Sequence, residues 1–337
     1  MSPKHLTPSD RDLLAEMVHQ GHKQVVIAEA LKVHQSTISR ELGRNASCDG
    51  YYRPYAAQCS ARTRRREALK RRPRKMENAD LRVYVQEHLE DHWSPEQIAG
   101  RLKRDGRRRA KGPVSHETIY AWIRKARRQG QQWHLCLRQG RRKRHRRARG
   151  KADGRGQIPN RTSIEERPAG VAGKRHFGHW ESDTLVGQRH QGSVISHVER
   201  KSQYLVLAPL PERDWRQLIP ASQKAFARHG EDLGGALPLK TTTVDNGQEF
   251  RGHEEMKREL GLRVYFAHPH HPWERGLGEQ VNGLIRQYLP KGRELKTVDV
   301  EQLRRVEVSL NNRPRKTLGY RTPLEVLRRR RVYASRV

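Results

Sequence analysis

Residues 179–186 read HWESDTLV, and this stretch decides the fold because it opens a run of extended segments in the second half of the chain. Two more extended segments follow at residues 193–198 and 204–210, with the polar turn RKSQ at residues 200–203 between them. Three consecutive strands with short connections predict an antiparallel meander.

The chain after this meander alternates between helical and extended patterns. Helices are predicted at about residues 214–229 and 254–260, and strands at residues 241–245 and 264–266. A last helix begins near Glu274. Three strands followed by alternating helices and strands predict an α/β domain with a mixed five-stranded sheet.

Three acids occupy distinctive places in this layout. Asp183 lies on the first strand, Asp245 ends a later strand just before Asn-Gly, and Glu279 lies at the start of the last helix. The first pair is separated by 61 residues and the second by 33. Hard cations prefer carboxylate oxygens, and two Mg²⁺ ions about 3.5–4 Å apart stabilise both the attacking and the leaving oxygen of a phosphodiester reaction. The three acids are therefore candidate catalytic ligands for paired Mg²⁺ ions.

Each of these acids has a rival that the residues alone leave open. Glu181 lies two residues before the first acid, on the same strand face, so spacing does not choose between them. Glu249 is the rival of the second acid, although an acid in Asp-Asn-Gly at a strand end gains access to a cleft and Glu249 is expected to begin a surface loop. Glu274 is the rival of the third, but it precedes the helical stripe.

The last helix has two distinct faces. Its apolar residues follow the i, i+4, i+7, i+8, i+11 spacing of a buried stripe, and they are Leu277, Val281, Leu284, Ile285 and Tyr288. The opposite face carries Glu279, Asn282, Gly283 and Arg286. Glu279 and Arg286 lie two turns apart on this face, so the acid can hold a metal while the guanidinium meets a phosphate. Asn282 is a candidate DNA contact on the same face.

Three histidines, His268, His270 and His271, lie in the segment HPHHPWERG. The prolines restrain the backbone here, and no acid or cysteine completes the usual spacing of zinc ligands. We expect these histidines to contact DNA or solvent. Residues 311–314 and 320–323 are expected to build a closing segment with DNA contacts, the alternative being helix capping and turn formation.

The N-terminal region has the pattern of a helix-turn-helix. One short helix follows Thr7 or Ser9 as N-cap and ends at Gly21, a second spans residues 25–31, and a third begins after a tight turn. The polar face of the third helix is expected to contact DNA bases, because the start of a recognition helix points into the major groove. The candidate contacts are Gln35, Ser36, Thr37, Ser39, Arg40 and Arg44. The alternative is a three-helix packing module with a solvated face.

A second pair of helices follows. Ser94, Pro95 and Gln97 form the sequence signature of an N-cap, an N1 proline and a capping-box partner. Another helix opens at the sequence Ser-His-Glu-Thr after a long basic turn, so the pair predicts a second helix-turn-helix-like unit. Its candidate DNA contacts are Ser115, His116 and Thr118. The alternative is a helical hairpin that serves dimer contacts.

The charge of the chain points to a polyanionic partner. Among 337 residues there are 70 Lys and Arg against 37 Asp and Glu, a formal charge of +33, which makes nucleic acid the leading partner. Residues 101–150 hold 19 of these basic residues and only 2 acids, and their end predicts a linker that lies on the DNA backbone. Residues 62–75 predict a solvated basic connector, and Pro73 argues against one continuous helix there.

The composition also argues against several other classes of protein. Three scattered cysteines predict neither a disulfide framework nor a Cys-x-x-Cys zinc site. No apolar run reaches the roughly 20 residues of a membrane span, and the first residues lack a secretory stretch. We therefore expect a cytoplasmic protein, associated with the nucleoid when bound to DNA, and no membrane partner.

Taken together, seven motifs resemble the DDE transposases with a ribonuclease H-like catalytic core, and within them the bacterial insertion-sequence family numbered thirty. The motifs occur in the family's order, cover most of the chain and are highly specific as a set. They are STISREL, WSPEQIAGRL, VSHETIYAWI, GHWESDTLVG, TVDNGQEF, PWERGLGEQVNGLIRQYLPKG and NNRPRKTLGYRTPLEV. One departure is visible, because the family usually has Asn where this chain has Gly278.

The resemblance implies specific roles. The metal-binding acids of the family fall on Asp183, Asp245 and Glu279, with Asp183 bridging two Mg²⁺ ions for which Mn²⁺ can substitute, and its basic partner falls on Arg286. It also implies binding to terminal inverted repeats, strand cleavage and transfer into target DNA, and assembly as a homo-oligomer on paired ends. The alternatives are an inert DNA-binding regulator of the same element and a general nuclease of the same fold.

The patterns predict a multidomain protein with N-terminal all-α helix-turn-helix modules and a C-terminal α/β domain, and the resemblance implies that this domain is ribonuclease H-like. The expected order is a helix-turn-helix domain at residues 1–48, a basic connector at 49–75, a second helical DNA-binding domain at 76–130, a basic linker at 131–168 and the catalytic domain at 169–337.

Overall fold

The computed structural model describes residues 5–45, 51–71, 75–106, 113–138, 158–269 and 271–334. The chain forms two compact units, Met1–Glu77 and Asn78–Val337. In the described residues, no helix combines the length and the apolar character that crossing a membrane requires.

The first unit consists of four helices. They are α1 (Pro8–His19), α2 (Gln24–Ala30), α3 (Gln35–Asn45) and α4 (Pro54–Arg71). Thr7 caps α1 through a capping box with Asp10, so the first of the two predicted N-caps is the one used. Leu14, Ile27 and Ile38 are fully buried at the centre of the unit.

Helix α4 differs from the solvated connector predicted at residues 49–75. Its first half buries Ala57 and Ala61, and Ala57 belongs to the same core as α1 to α3. The buried Arg11 of α1 donates one hydrogen bond to Gln58 of α4 and another to Glu41 of α3. The sequence did not predict this buried face, because its alanines are small and many arginines surround them. The helix ends at Arg71, two residues before Pro73.

Three helices begin the second unit. They are α5 (Ala79–Glu90), α6 (Pro95–Asp105) and α7 (His116–Arg128), followed by a 3-10 turn at Trp133–Cys136. The predicted capping box between Ser94 and Gln97 is present, whereas α5 was not predicted. The ring of Trp122 packs 5.9 Å from that of Trp133, so the start of the predicted linker at residues 131–168 belongs to this helical module.

A mixed five-stranded sheet forms the body of the second unit, as the sequence predicts. Its strands are β1 (His179–Val186), β2 (Ser193–Glu199), β3 (Leu205–Leu210), β4 (Thr241–Val244) and β5 (Arg263–Phe266), in the order β3-β2-β1-β4-β5. The first three strands pair antiparallel, and β4 and β5 run parallel to β1. The predicted α/β class with a mixed five-stranded sheet is therefore confirmed.

Helices cover both faces of the sheet. They are α8 (Trp215–Asp232), α9 (His253–Leu260), α10 (Gly276–Ile285), α11 (Val300–Asn311) and α12 (Pro323–Ala334). Residues of α8 and α9 pack with Trp180 of β1, while residues of α10 and α11 pack with Leu185 of the same strand. The predicted stripe of α10 is buried in the second layer, except that Tyr288 lies beyond the end of the helix and is only partly buried.

The end of the predicted linker also belongs to the α/β body. Ile158 is buried in the core layer beside α8 and α9. The carbonyl of Thr162 accepts a hydrogen bond from the amide of Phe266 in β5, at 2.9 Å, and Arg167 donates to Thr243 of β4, at 2.9 Å. Of the predicted linker, residues 139–157 lie outside the described residues.

Strand β3 forms one edge of the sheet, and α11 covers it. Asn311 accepts from the amide of Leu205 and donates to its carbonyl, both at 2.8 Å. Glu307 accepts from the amide of Leu207. These side chains satisfy backbone groups that an exposed edge strand would otherwise offer to another chain. Asn311 is therefore a structural clamp, which corrects the expectation that it contacts DNA.

The segment 313–325 docks on α6. Arg101 donates to both carboxylate oxygens of Glu325, at 2.6 and 2.8 Å. Gln97 donates to the carbonyl of Pro314 at 2.8 Å. Thr322 forms a capping box with Glu325 at the start of α12. The predicted closing segment thus fastens the helical module to the α/β body, and its alternative reading as a cap and turn is correct for Thr322.

Candidate active site

The register of β1 and β4 brings the first two acids together. These strands are parallel and pair Glu181 with Thr243, so two residues further along each strand Asp183 and Asp245 become neighbours on the same face. One guanidinium joins them: Arg275 Nη1 lies 3.3 Å from Asp183 Oδ1, and Nη2 lies 3.6 Å from Asp245 Oδ2. The sequence analysis missed Arg275.

The environment of Asp183 disfavours an isolated negative charge. Burial raises the pKa of its carboxyl, and the neighbouring Asp245 raises it as well, while Arg275 and the amide of Thr184 oppose this shift. The net direction is upward. Two adjacent carboxylates in a partly buried position are stabilised by a cation, and here the guanidinium of Arg275 supplies that charge.

Helix α10 crosses beside this acid pair. Asn282 Nδ2 donates to Asp183 Oδ2 at 2.8 Å, and Asn282 Oδ1 accepts from Ser196 Oγ of β2 at 2.9 Å. Both ends of the Asn282 amide are therefore engaged within the protein. The residue orients Asp183, whereas the sequence analysis expected it to contact DNA.

The third acid, Glu279, lies on the same helix between two contacts to β1. Its preceding residue, Gly278, donates its backbone amide to Glu181 at 2.7 Å, and Asn282 on the next turn holds Asp183. The Glu279 side chain is exposed. In the described part of the chain, the three acids do not form a group whose ligand atoms all lie within 4.8 Å of one another. The fold thus places α10 beside Asp183 and Asp245, but the carboxylate of Glu279 does not join theirs in one cluster.

The rival acids have structural partners. Glu181 is buried, accepts the Gly278 amide, and lies 3.2 Å from Arg200 Nε. Glu249 is also buried, at 2% exposure, which corrects the expected surface loop. Burial opposes its ionisation, but hydrogen bonds from Arg213 and Thr184 outweigh it, so the pKa of Glu249 is lowered. Both rivals are therefore engaged by other groups of the protein.

The guanidinium of Arg286, which was expected to bind a phosphate, is hydrogen-bonded to the protein itself in this structure. Helix α10 ends at Ile285, and Arg286 Nη2 donates to the carbonyl of Val186 at the end of β1, at 2.9 Å. Burial lowers the pKa of its guanidinium, and the charge of Asp183 opposes this. Arg286 therefore lies within electrostatic reach of the acid pair while fastened to the strand that carries one of them.

The histidine segment contains an acid that the sequence analysis did not assign to it. Glu274 Oε1 lies 2.8 Å from His268 Nδ1, and Glu274 Oε2 accepts the backbone amide of His268 at 2.8 Å. His268, His271 and Glu274 offer three ligand atoms within 4.8 Å of one another. The expectation that no acid completes this cluster was wrong, because the 3-10 turn at Pro272–Arg275 folds Glu274 back. His270 lies outside the described residues.

A buried polar chain supports β1 from the other side of the sheet. Ser182 Oγ lies 2.7 Å from His197 Nδ1 and 2.7 Å from Thr242 Oγ1, and His197 Nε2 lies 3.0 Å from Ser222 Oγ of α8. Burial lowers the pKa of His197 to about 3, so its imidazole is neutral near pH 7. No pattern in the sequence indicated this network.

The candidate DNA contacts of α3 lie largely on its surface. Gln35, Ser39, Arg40 and Arg44 are exposed, while Ser36 and Thr37 are half-buried. Ile38 turns inward to the core. In α7, the hydroxyl of Ser115 accepts from the amide of Thr118 as an N-cap, and His116 is exposed. The α3 face is thus open to a groove, whereas Ser115 is already used in capping.

Comparison with known proteins gives one matching family model and several full-length relatives. A model described as a helix-turn-helix domain matches residues 2–45. The chain is similar to the transposase for insertion sequence element IS4351 of Bacteroides fragilis, with 38% identity over 96% of this chain and 95% of the relative. It is also similar to the transposase for IS1086 of Cupriavidus metallidurans, with 41% identity over 87% and 85% of the two chains. Transposase InsI for IS30A of Escherichia coli is 36% identical over 96% and 84%.

Proposed function

This chain belongs to the family of insertion-sequence transposases that includes the IS30 elements, and we propose that it binds the terminal inverted repeats of its own element and cuts and joins DNA strands there. The observation that carries the catalytic part is the pair of neighbouring carboxylates, Asp183 and Asp245, held on one guanidinium beside helix α10. The first helical unit supplies DNA binding through α3.

The donor set fits hard divalent cations. Asp183 and Asp245 already hold the cationic group of Arg275, and Glu279 adds a carboxylate on the adjacent helix. Asp183, Asp245 and Glu279 would hold the ions. Two Mg²⁺ ions, with Mn²⁺ as a substitute, would supply charge stabilisation to the attacking and leaving oxygens of the phosphodiester.

The protein's own residues prepare this site. Asn282 fixes the carboxylate of Asp183, because it is itself held by Ser196 of β2. The exposed Glu279 side chain turns toward the pair by rotation about its own χ angles, since α10 is fastened on both sides of it. Arg275 offsets the negative charge of Asp183 and Asp245 as long as no divalent cation is bound there. No covalent protein nucleophile is needed. Water attacks the phosphorus at the end of the element and the 3′-oxygen leaves as a hydroxyl. This 3′-hydroxyl then attacks a phosphorus of target DNA and displaces a 3′-oxygen of the target strand.

Cleavage by the purified full-length chain tests this proposal. The substrate is linear DNA that carries the inverted repeats flanking the coding sequence, in buffer with MgCl₂ or MnCl₂. We expect the wild-type protein to nick at the repeat ends and to join the ends to target DNA. Asp183→Asn and Asp245→Asn remove a charge needed for metal binding without altering α3, so cutting and joining fall below detection while repeat binding in a gel-shift assay stays within about twofold.

The matched control is Asp232→Asn, an exchange of the same kind at a surface ion pair with Arg304. It is expected to retain full activity, because exposed pairs contribute little to stability. If Asp245→Asn lost repeat binding together with cleavage, repeat binding and catalysis would not reside in separate parts of the protein, as proposed.

The competing functions give different results in the same assay. Wild-type protein that binds the repeats and never cuts identifies an inert regulator. Cutting without preference for repeat ends, and without joining, identifies a general nuclease. The intact acid pair favours the transposase over the regulator. Assembly as a homo-oligomer on paired ends, in the cytoplasm, completes the proposal, and light scattering on repeat DNA measures the number of protomers.

A further inference from the structure

The loop between β5 and α10 carries a second cluster of metal-ligating side chains, distinct from the three acids. His268, His271 and Glu274 each place one ligand atom within 4.8 Å of the other two, and all three side chains are partly buried. The closest pair, His268 Nδ1 and Glu274 Oε1, is 2.8 Å apart. Ligands of a four-coordinate zinc, about 2.0–2.1 Å from the metal, lie roughly 3.3 Å apart. Small rotations of these side chains therefore create a zinc-sized site.

An independent observation points to a missing ligand at the same place. The Nδ1 atom of His271 is buried and, among the described residues, has no hydrogen-bond partner. Its ring packs edge-on against His268 and Trp273, with centroid distances of 5.3 and 4.6 Å, which restrict its orientation. A buried polar nitrogen without a partner is unfavourable, because it has lost its hydration and gained nothing in return. Coordination of a cation would satisfy it.

We propose that His268, His271 and Glu274 bind one divalent transition-metal ion of the zinc class. Two imidazoles and one carboxylate suit zinc, whereas magnesium prefers oxygen ligands and retains its waters. Three protein ligands leave a fourth position for water. This inference does not depend on the catalytic role of the three acids.

The position of the cluster suggests a structural consequence for the neighbouring acid pair. The loop begins at Ala267, which donates its amide to Val244 of β4 and accepts from Asn246. It ends at Glu274, directly before Arg275, whose guanidinium contacts Asp183 and Asp245. A metal that ties both ends of the loop together would hold Arg275 and the start of α10 in place.

Zinc binding by the full-length chain tests the proposal. Protein is stripped with a chelator, dialysed and titrated with ZnCl₂ alone, and the affinity is measured by competition with a chromogenic chelator. We expect one tight site per chain in the wild type. His271→Ala and Glu274→Gln each remove a ligand and are expected to weaken that site at least about 100-fold, beyond the 10- to 100-fold cost of losing an outer partner.

Two controls separate this site from other zinc ligands. His176→Ala removes an exposed histidine outside the cluster and is expected to leave the affinity unchanged. The double variant Asp183→Asn, Asp245→Asn removes the acid pair and is expected to retain the tight site. Loss of the site in the double variant would place the ion at the acids and overturn the proposal.

A second readout does not require the variants to fold. With CoCl₂ in place of zinc, the wild-type chain is expected to show the visible absorption of four-coordinate cobalt, and zinc is expected to slow amide hydrogen exchange at residues 267–276. Absence of a tight site in the wild type, or wild-type affinity in both ligand variants, overturns the proposal. Failure of DNA cleavage with intact zinc binding would count against the proposed function alone.

Discussion

Gly278 stands where the resemblance to the transposases predicts Asn, and the structure shows what surrounds this position on α10. The residue is buried on α10 and donates its amide to Glu181. A Cβ placed there would lie 3.5 Å from Glu181 Oε2 and 3.6 Å from Glu181 Cβ, which is ordinary van der Waals contact. The glycine is therefore not required by space at this helix position.

Gly278→Ala is accordingly expected to stabilise the protein. Glycine in a helix costs about 0.5–1 kcal/mol relative to alanine, because it loses more backbone entropy on folding. Urea unfolding measures the change in the free energy of unfolding. Gly261→Ala is the matched control, since Gly261 has a φ of +69° and the same exchange there is expected to destabilise. A net loss of stability in Gly278→Ala would show that the helix cannot accept the methyl group.

His197 makes a prediction about pH dependence. Burial lowers the pKa of its imidazole from 6.5 to about 3 in the fold. Above pH 6.5 neither the folded nor the unfolded state is protonated at this residue, so its contribution to stability is fully present. As the pH falls below 6.5, the unfolded chain binds a proton at His197 and the folded chain does not. The free energy of unfolding therefore decreases by up to about 1.4 kcal/mol per pH unit.

Urea unfolding between pH 6.5 and pH 5 measures this slope. His197→Gln is expected to make the slope shallower by up to that amount, whatever its effect on stability at pH 7. His176→Gln, at an exposed histidine, is expected to leave the slope unchanged. Equal slopes in the wild type and in His197→Gln would contradict the assignment of a neutral buried imidazole.

At the scale of elements, the docking of α6 on the segment before α12 joins the second helical module to the α/β body. The contact is polar at Arg101 and Glu325 and close-packed at Gly100, where the ring of Tyr320 lies against the helix. A Cβ at Gly100 would come within 2.2 Å of that ring. Glycine is needed here for close approach, which the capping pattern of α6 did not reveal.

Gly100→Ala is expected to destabilise this docking by about 1–3 kcal/mol, the usual cost of overpacking. Removing the ring should relieve the clash, so the double variant Gly100→Ala, Tyr320→Ala is expected to show a positive coupling relative to the two single variants. Thermal unfolding of all four proteins measures the coupling. Purely additive effects would mean that the alanine methyl group does not meet the ring.

At the scale of the whole molecule, a formal charge of +33 supplies affinity for any DNA, while the exposed face of α3 is expected to supply preference. Attraction to phosphates depends on salt and not on sequence, whereas contacts to base edges discriminate between sites. The two contributions can therefore be separated by comparing repeat DNA with unrelated DNA at several salt concentrations.

Arg40→Ala is expected to reduce the preference for repeat DNA by about 1–3 kcal/mol, because it removes a base contact at the exposed face of α3. Arg62→Ala, an identical exchange on the exposed surface of α4, is expected to weaken binding to both DNAs alike and to lower the salt slope by about 1. Fluorescence anisotropy with both DNAs measures these values. If Arg40→Ala kept the wild-type preference for repeat DNA, Arg40 would not be one of the residues that contact bases.

The sequence by itself determined the strands, most helices and the positions of the three acids. These features depend on near neighbours: the Ser94 and Gln97 pair indicated the start of α6, and apolar spacing indicated α10. The family motifs then favoured Asp183 over Glu181 as the metal ligand, a choice that spacing had left open.

Only the tertiary structure decided which side chains meet. The register of β1 with β4 set Asp183 beside Asp245, the turn before α10 brought Glu274 to His268, and burial turned Glu249 from an expected surface residue into a partner of Arg213. The first and last of these contacts join residues far apart in the chain, and the contact of Glu274 with His268 depends on a non-repeating turn. They depend on strand pairing and helix packing, and these leave no periodic signal in the local sequence.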